Sequence, residues 1–172
     1  MSTTTIYVIS ADGDGNLLLE DEVAEYKNSH GWCAFVWQAL MAKFGISKLW
    51  LMGGAEELWA SHAAKTIDLA WYEAAVLNAT YDKATLSAAR RNDFVSALRE
   101  FDAQHPGGLS VSHLLAMAND LEALDTHLHV AWEGTSLSEW WGEDFNFKLE
   151  SEVGNGAFRI MEGIEVPNAD PS

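Results

Sequence analysis

One cysteine, Cys33, is all the thiol chemistry this chain contains. A single thiol makes no internal disulfide, so nothing in the chain calls for an oxidising compartment. Prolines are equally scarce, three in 172 residues and not clustered, which excludes a polyproline linker. Long apolar runs are missing as well. Stretches such as Leu17–Leu19 and Trp50–Met52 fall far short of the roughly 20 residues that span a bilayer. The opening Met1-Ser2-Thr3-Thr4-Thr5 has neither the basic residues nor the apolar core of a signal peptide, so a cytoplasmic protein without membrane contact is expected.

Positive charge is the most telling shortage. Ten Lys and Arg stand against 26 Asp and Glu, a formal net charge of −16. Such a surface repels nucleic acid and anionic lipid and attracts basic proteins. Nucleotide-binding and serine-hydrolase signatures are absent too. There is no Gly-x-x-x-x-Gly-Lys-Ser/Thr and no Gly-x-Ser-x-Gly, and Gly13 and Gly15 lack the third glycine of a dinucleotide fingerprint. A calcium loop starting at Asp12 would need glycine at Leu17 and glutamate at Val23. No cofactor is expected.

What is present is an ordinary globular balance, 48% hydrophobic and 21% charged, in a chain long enough for one core. Residues 1–166 read as a single acidic α+β domain, with 167–172 a loose tail. Thr5–Ile9 is a short central strand, ending at an Asp12–Asn16 turn. Cys33, Val36, Trp37, Leu40, Met41 and Phe44 have helical spacing, with Ser29 as cap and Gly45 as stop. A second helix follows Gly53-Gly54 through Glu56, Glu57, Leu58 and His62. Asp68–Tyr81 fits either a helix to about Leu77 or, from Val76 to Tyr81, a strand, and the helix is the expectation. Ser87 caps a helix whose inner face holds Phe94, Val95, Leu98 and Phe101. Ser110 or Ser112 caps another, with Leu114, Leu115, Ala118 and Leu121 inward. The period then becomes two. Leu128, Val130 and Trp132 alternate with His127, His129 and Glu133 in a half-buried strand. Phe145, Phe147 and Leu149 repeat the pattern, and Gly154-Asn155-Gly156 turns into a partner strand through Phe158, Ile160, Ile164 and Val166, with a bulge at Gly163. The expected architecture is a short antiparallel or mixed sheet, built from the N-terminal strand and the C-terminal strands and hairpin, packed on four to five helices.

Three constellations have residue types suited to chemistry. Cys33 lies near a helix start, where the helix dipole favours a thiolate, and His129 on a strand is available as its base. That order, cysteine on a helix and then histidine on a strand, resembles papain-like cysteine hydrolases. Gly31-Trp32-Cys33-Ala34-Phe35 resembles the Gly-x-Cys-aromatic stretch of ovarian-tumour-type deubiquitinases, which would make Cys33 and His129 a catalytic pair. Cys33 also shares a helical face with Val36 and Trp37, as a buried, inert thiol would. His127-x-His129-x-x-x-Glu133 puts two imidazoles and a carboxylate on one strand face, similar to the first half of a cupin metal motif. Ser138-Glu139-Trp140-Trp141-Gly142-Glu143-Asp144 is an aromatic pair ringed by carboxylates, the composition of a protein-binding hot spot.

Charge is also segregated. Met1–Tyr26 and Glu100–Phe147 hold acids and no Lys or Arg, and the basic residues lie mainly between Lys27 and Arg99. One contiguous acidic face is therefore expected, carrying Glu122, Asp125, Glu133, Glu139, Glu143 and Asp144 around Trp140 and Trp141. Size and acidity together resemble nucleic-acid mimics of counter-defence systems and toxin-neutralising immunity proteins. That likeness implies a non-catalytic inhibitor of a basic, nucleic-acid-binding protein, with a structural subunit of a larger assembly as the remaining possibility.

Overall fold

The β-branched run near the N-terminus forms β1 (Thr3–Ala11) in a computed structural model of the protein, which describes residues 3–11, 17–27, 32–80, 83–106, 113–134 and 159–160. Four further strands join it: β2 (Leu17–Lys27), β3 (Lys83–Leu86), β4 (His129–Gly134) and β5 (Arg159–Ile160). Their order is β2-β1-β4-β3-β5. The β1/β2, β1/β4 and β3/β4 pairs are antiparallel, and β5 lies parallel to β3. The sheet is thus mixed, and β1 is interior as its apolar composition predicts.

The helices are α1 (Trp32–Phe44), α2 (Gly54–Ala63), α3 (Trp71–Ala79), α4 (Ala88–Gln104) and α5 (His113–Ala123), with a 3₁₀ turn at Trp50–Met52. The fold is α+β. The spacing read for α1 holds, and Gly45 ends it with φ of 71°. There the Ile46 amide donates to the Met41 carbonyl (2.9 Å) and the Gly45 amide to Ala42 (3.4 Å), the paired bonds of a left-handed helix stop. Among the described residues no helix is long and apolar enough to cross a membrane.

Three readings are corrected. On α5, Leu115 is 38% exposed, and Met117 takes the inward place beside Leu114, Ala118 and Leu121. Over Val130–Trp132 strand β4 is buried on both faces rather than one, and His127 lies in the turn before the strand. Ser87 precedes α4 but its side chain makes no cap bond; the first helical amide, Ala88 N–H, donates to His129 Nδ1 (3.2 Å) instead. Ser29, Ser110, Ser112, the Asp12–Asn16 turn, the expected hairpin apart from Arg159–Ile160, and the 167–172 tail lie outside the described residues.

Ile6 faces Trp132, Val8 faces Val130, and Ala84 and Leu86 oppose Trp132 and Val130 in turn, so these side chains share one side of the sheet. Most of them merge with the helix interiors into one core that contains Trp37, Leu58, Val76, Phe94 and Leu114. Three buried indole N–H groups have partners. Trp132 stacks on Phe94 (5.5 Å between centroids, 8° between planes) and its indole N–H donates to Ala79 O (2.9 Å). The Trp37 N–H donates to Thr80 Oγ1 (2.9 Å), which donates onward to Leu77 O (2.6 Å), and the Trp32 N–H donates to Thr4 Oγ1 (3.2 Å).

Arg91 is the one buried Lys or Arg among the described residues, 3% exposed. From α4 it donates to the carbonyls of Leu124 (2.9 Å), Asp125 (2.8 Å) and Leu128 (3.1 Å), where the chain leaves α5 for β4. A positive charge is favoured at that helix end, and the Asp125 carbonyl accepts the Leu128 amide (3.1 Å) as well as Arg91. Replacing Arg91 with Met removes all three bonds, so Arg91→Met is expected to cost about 2–4 kcal/mol of unfolding free energy. Urea denaturation followed by tryptophan fluorescence measures it.

Candidate functional site

The acidic surface begins on β2. In a regular strand successive side chains alternate between faces, yet Glu20, Asp21 and Glu22 are all exposed. Register explains this. Val8 pairs with Asp21 while Ile9 pairs with Leu19, which leaves Glu20 as an inserted residue, and Val23 is skipped in the same way between Ile6 and Tyr7. These bulges break the alternation and turn three consecutive carboxylates outward, with Glu25 also exposed further along. Ser10 Oγ donates to Glu20 and the Glu22 amide to Asp21 Oδ1 (2.9 Å). Among the described residues none of these four acids pairs with Lys or Arg.

Among the described residues β2 is an edge strand, and α5 packs beside it. The contact runs through Tyr26, whose hydroxyl donates to Asp120 and whose ring lies edge-on to His113 at 6.3 Å. Burial, and then the bond to Asp120, hold the Tyr26 phenol far above its usual range, so it remains a neutral donor. The two Lys- and Arg-free segments therefore meet at this point. Further along α5 the compensation changes: Glu122 forms an ion pair with Arg99 (2.6 Å), which keeps its carboxyl below the usual range. Arg99, from outside the Glu100–Phe147 segment, thus compensates one of that segment's acids. Asp125 is exposed, and its carbonyl is held by Arg91. Glu139, Trp140, Trp141, Glu143 and Asp144 lie outside the described residues, as does the side chain of Glu133.

Cys33 is the second residue of α1 and 3% exposed, packed within the main core as its neighbours Val36 and Trp37 predict. His129 opens β4, and its Nδ1 accepts the α4 amide, so the imidazole serves as a helix cap. His127, in an exposed turn, does not share a strand face with His129, which corrects the arrangement read from their spacing. Among the described residues no three His, Cys, Asp or Glu side chains gather to hold a metal.

One ionic cluster escaped sequence reasoning. Glu73, its side chain 1% exposed, accepts from Lys43 Nζ (2.5 Å), the Ala70 amide (2.9 Å) and His105 Nε2 (2.9 Å). It reaches back over the first turn of α3, the position that normally pairs with a Ser or Thr cap. The residue at the cap is Ala70, so the usual sequence signal is missing. Burial pushes the Glu73 carboxyl up, but the bonds to Lys43, Ala70 and His105 outweigh it and leave the group below its ordinary value. The Ala70 bond caps α3 itself, while the bonds to Lys43 and His105 join α1, α3 and the end of α4, so the cluster is a clamp.

Because the folded Glu73 value is depressed, its stabilisation is complete above the ordinary carboxylate pKa and is lost as pH falls through the folded value. Glu73→Gln is expected to lower stability at neutral pH by about 2 kcal/mol and to flatten the acid limb of the stability profile, as read by urea titrations across the acid range. Thiol reagents are expected to label Cys33 slowly in native protein and rapidly once it is denatured; fast native labelling would place the thiol at the surface.

No protein-family model, no curated protein and no solved structure matches this chain.

Proposed function

We propose that this protein is a non-catalytic, cytoplasmic inhibitor that neutralises a basic, nucleic-acid-binding protein by presenting carboxylates in place of phosphates. The observation that carries the reading is the outward set Glu20, Asp21, Glu22 and Glu25 on β2, unmatched by Lys or Arg among the described residues and continued at Asp120 through the Tyr26 contact. Where acidity serves solubility alone, charges of both signs are usually interspersed. Here they are sorted by segment, and consecutive acids of the bulged β2 strand stay exposed. A field of that kind steers a basic partner and fixes its register. Trp140 and Trp141, with Glu139, Glu143 and Asp144 around them, would add an apolar anchor and more negative charge to the same function.

The test compares wild type with the triple variant Glu20→Lys/Glu22→Lys/Glu25→Lys in capture from lysate at low and high salt. Captured proteins are then purified and assayed for nucleic-acid binding in competition with each form. Wild type is expected to capture basic proteins, release them as salt shortens the screening length to about 8 Å and below, and displace nucleic acid from them. The triple variant is expected to do neither. Equal capture and equal salt dependence for both forms would overturn the reading.

A further inference from the structure

Helix α4 begins on an acceptor that a proton can remove. Ala88 is its first residue, and the N–H there has no carbonyl within the helix to bond. It donates to His129 Nδ1 (3.2 Å), 41 residues further along the chain, while Ser87 at the cap position makes no side-chain cap bond. The chemistry of this cap differs from that of Ser, Thr, Asp or Asn. Their side-chain oxygens accept at neutral pH, whereas an imidazole nitrogen accepts only while it carries no proton. The Ala88 bond therefore fixes the ring as neutral, with its proton on Nε2.

The surroundings oppose a second proton. A cationic ring would turn an Nδ1–H against the Ala88 N–H, at the positive end of the α4 dipole. Buried Arg91, also on α4, donates to Leu128 O (3.1 Å), the carbonyl of the peptide that joins Leu128 to His129. Arg90 beside it is paired with Asp93 (2.8 Å). In the turn before β4, Asp125 and His127 are exposed to water, and the Asp125 carbonyl is held by Arg91. Within the sheet, β1 sets Ile9 opposite His129 and β2 sets Leu19 opposite Ile9, while Glu20 next to Leu19 accepts from Ser10. Among the described residues no carboxylate pairs with the ring to offset a positive charge.

We propose that His129 is a proton-operated switch, in which a proton taken up at Nδ1 releases the first turn of α4 from the start of β4. The neutral ring is the form the fold uses. Its contribution is therefore complete above the ordinary imidazole range and is lost as pH falls below it. The release is local, because the Trp132–Phe94 stack contains no titrating group and continues to hold α4 to β4. The switch makes no use of the β2 carboxylates, so it stands apart from the inhibitory reading.

Nuclear magnetic resonance of the full chain tests it in two ways. Nitrogen shifts of the imidazole report the tautomer, expected as Nε2–H at about pH 7.5. Hydrogen exchange of the Ala88 amide reports the bond itself, since no helical carbonyl competes for that N–H. Relative to intrinsic exchange, its protection is expected to fall roughly tenfold between about pH 7.5 and about pH 5. The Leu98 amide, in the middle of α4, is expected to stay protected throughout. His129→Gln supplies an acceptor that does not titrate, so Ala88 protection in that variant should be independent of pH. His127→Gln should behave as wild type. An Nδ1–H tautomer, constant Ala88 protection in wild type, or the same pH dependence in His129→Gln would each overturn the proposal. Should His129→Gln fail to fold, the two wild-type readouts decide the matter by themselves.

Discussion

Trp132 is where the layers of this fold are joined. Its strand lies between β1 and β3, its ring stacks on Phe94 from α4, and its indole N–H donates to the last carbonyl of α3. Burying a side chain of that size contributes on the order of 5 kcal/mol, but the larger effect is geometric. One residue specifies how two helices sit on the sheet, because neither the stack nor the hydrogen bond tolerates a shift of a full ångström. The buried charges extend that constraint outward. Arg91 holds the departure from α5 against α4, and Glu73 draws α1, α3 and the end of α4 together. His129 does the same on a smaller scale, its Nδ1 accepting the first amide of α4.

Much of this was legible in the chain. Helix α1 follows from its apolar spacing, and Gly45 from the left-handed conformation required just past a helix end. Strands β2 and β3 did not announce themselves, for different reasons. The two bulges in β2 destroy the alternation on which strand reading depends, and β3 has four residues, too few to show a period. Leu115 was misplaced because a helical stripe has a width, and Leu114 and Met117 already fill it.

The site was legible only in part. Segregated charge pointed to the N-terminal acids, but the meeting of β2 with α5 depends on Tyr26 reaching Asp120 across 94 positions of sequence, a contact that no local pattern encodes. The Glu122–Arg99 pair is equally non-local, and it removes one carboxylate from the surplus that counting residues assigned to that segment. Glu73 was missed because its partners come from three separate elements and its own helix lacks a recognisable cap. The Leu49–Met52 turn was visible as an apolar run, yet whether such a run is core or surface is decided by tertiary packing, and here the packing takes Trp50 and leaves its neighbours outside.

The inserted residues of β2 have a further consequence for how this protein behaves at high concentration. An unprotected edge strand is a template on which identical chains stack, and fibrous aggregates grow from such edges. Glu20 and Val23 interrupt the spacing of outward amides and carbonyls, so an incoming strand finds no long register to copy. Adjacent carboxylates would then stack on their own kind at each added layer. The same irregularity that turns consecutive acids outward therefore makes the edge a poor seed for polymerisation, and any ligand of β2 must read its side chains, because its backbone offers no continuous ladder.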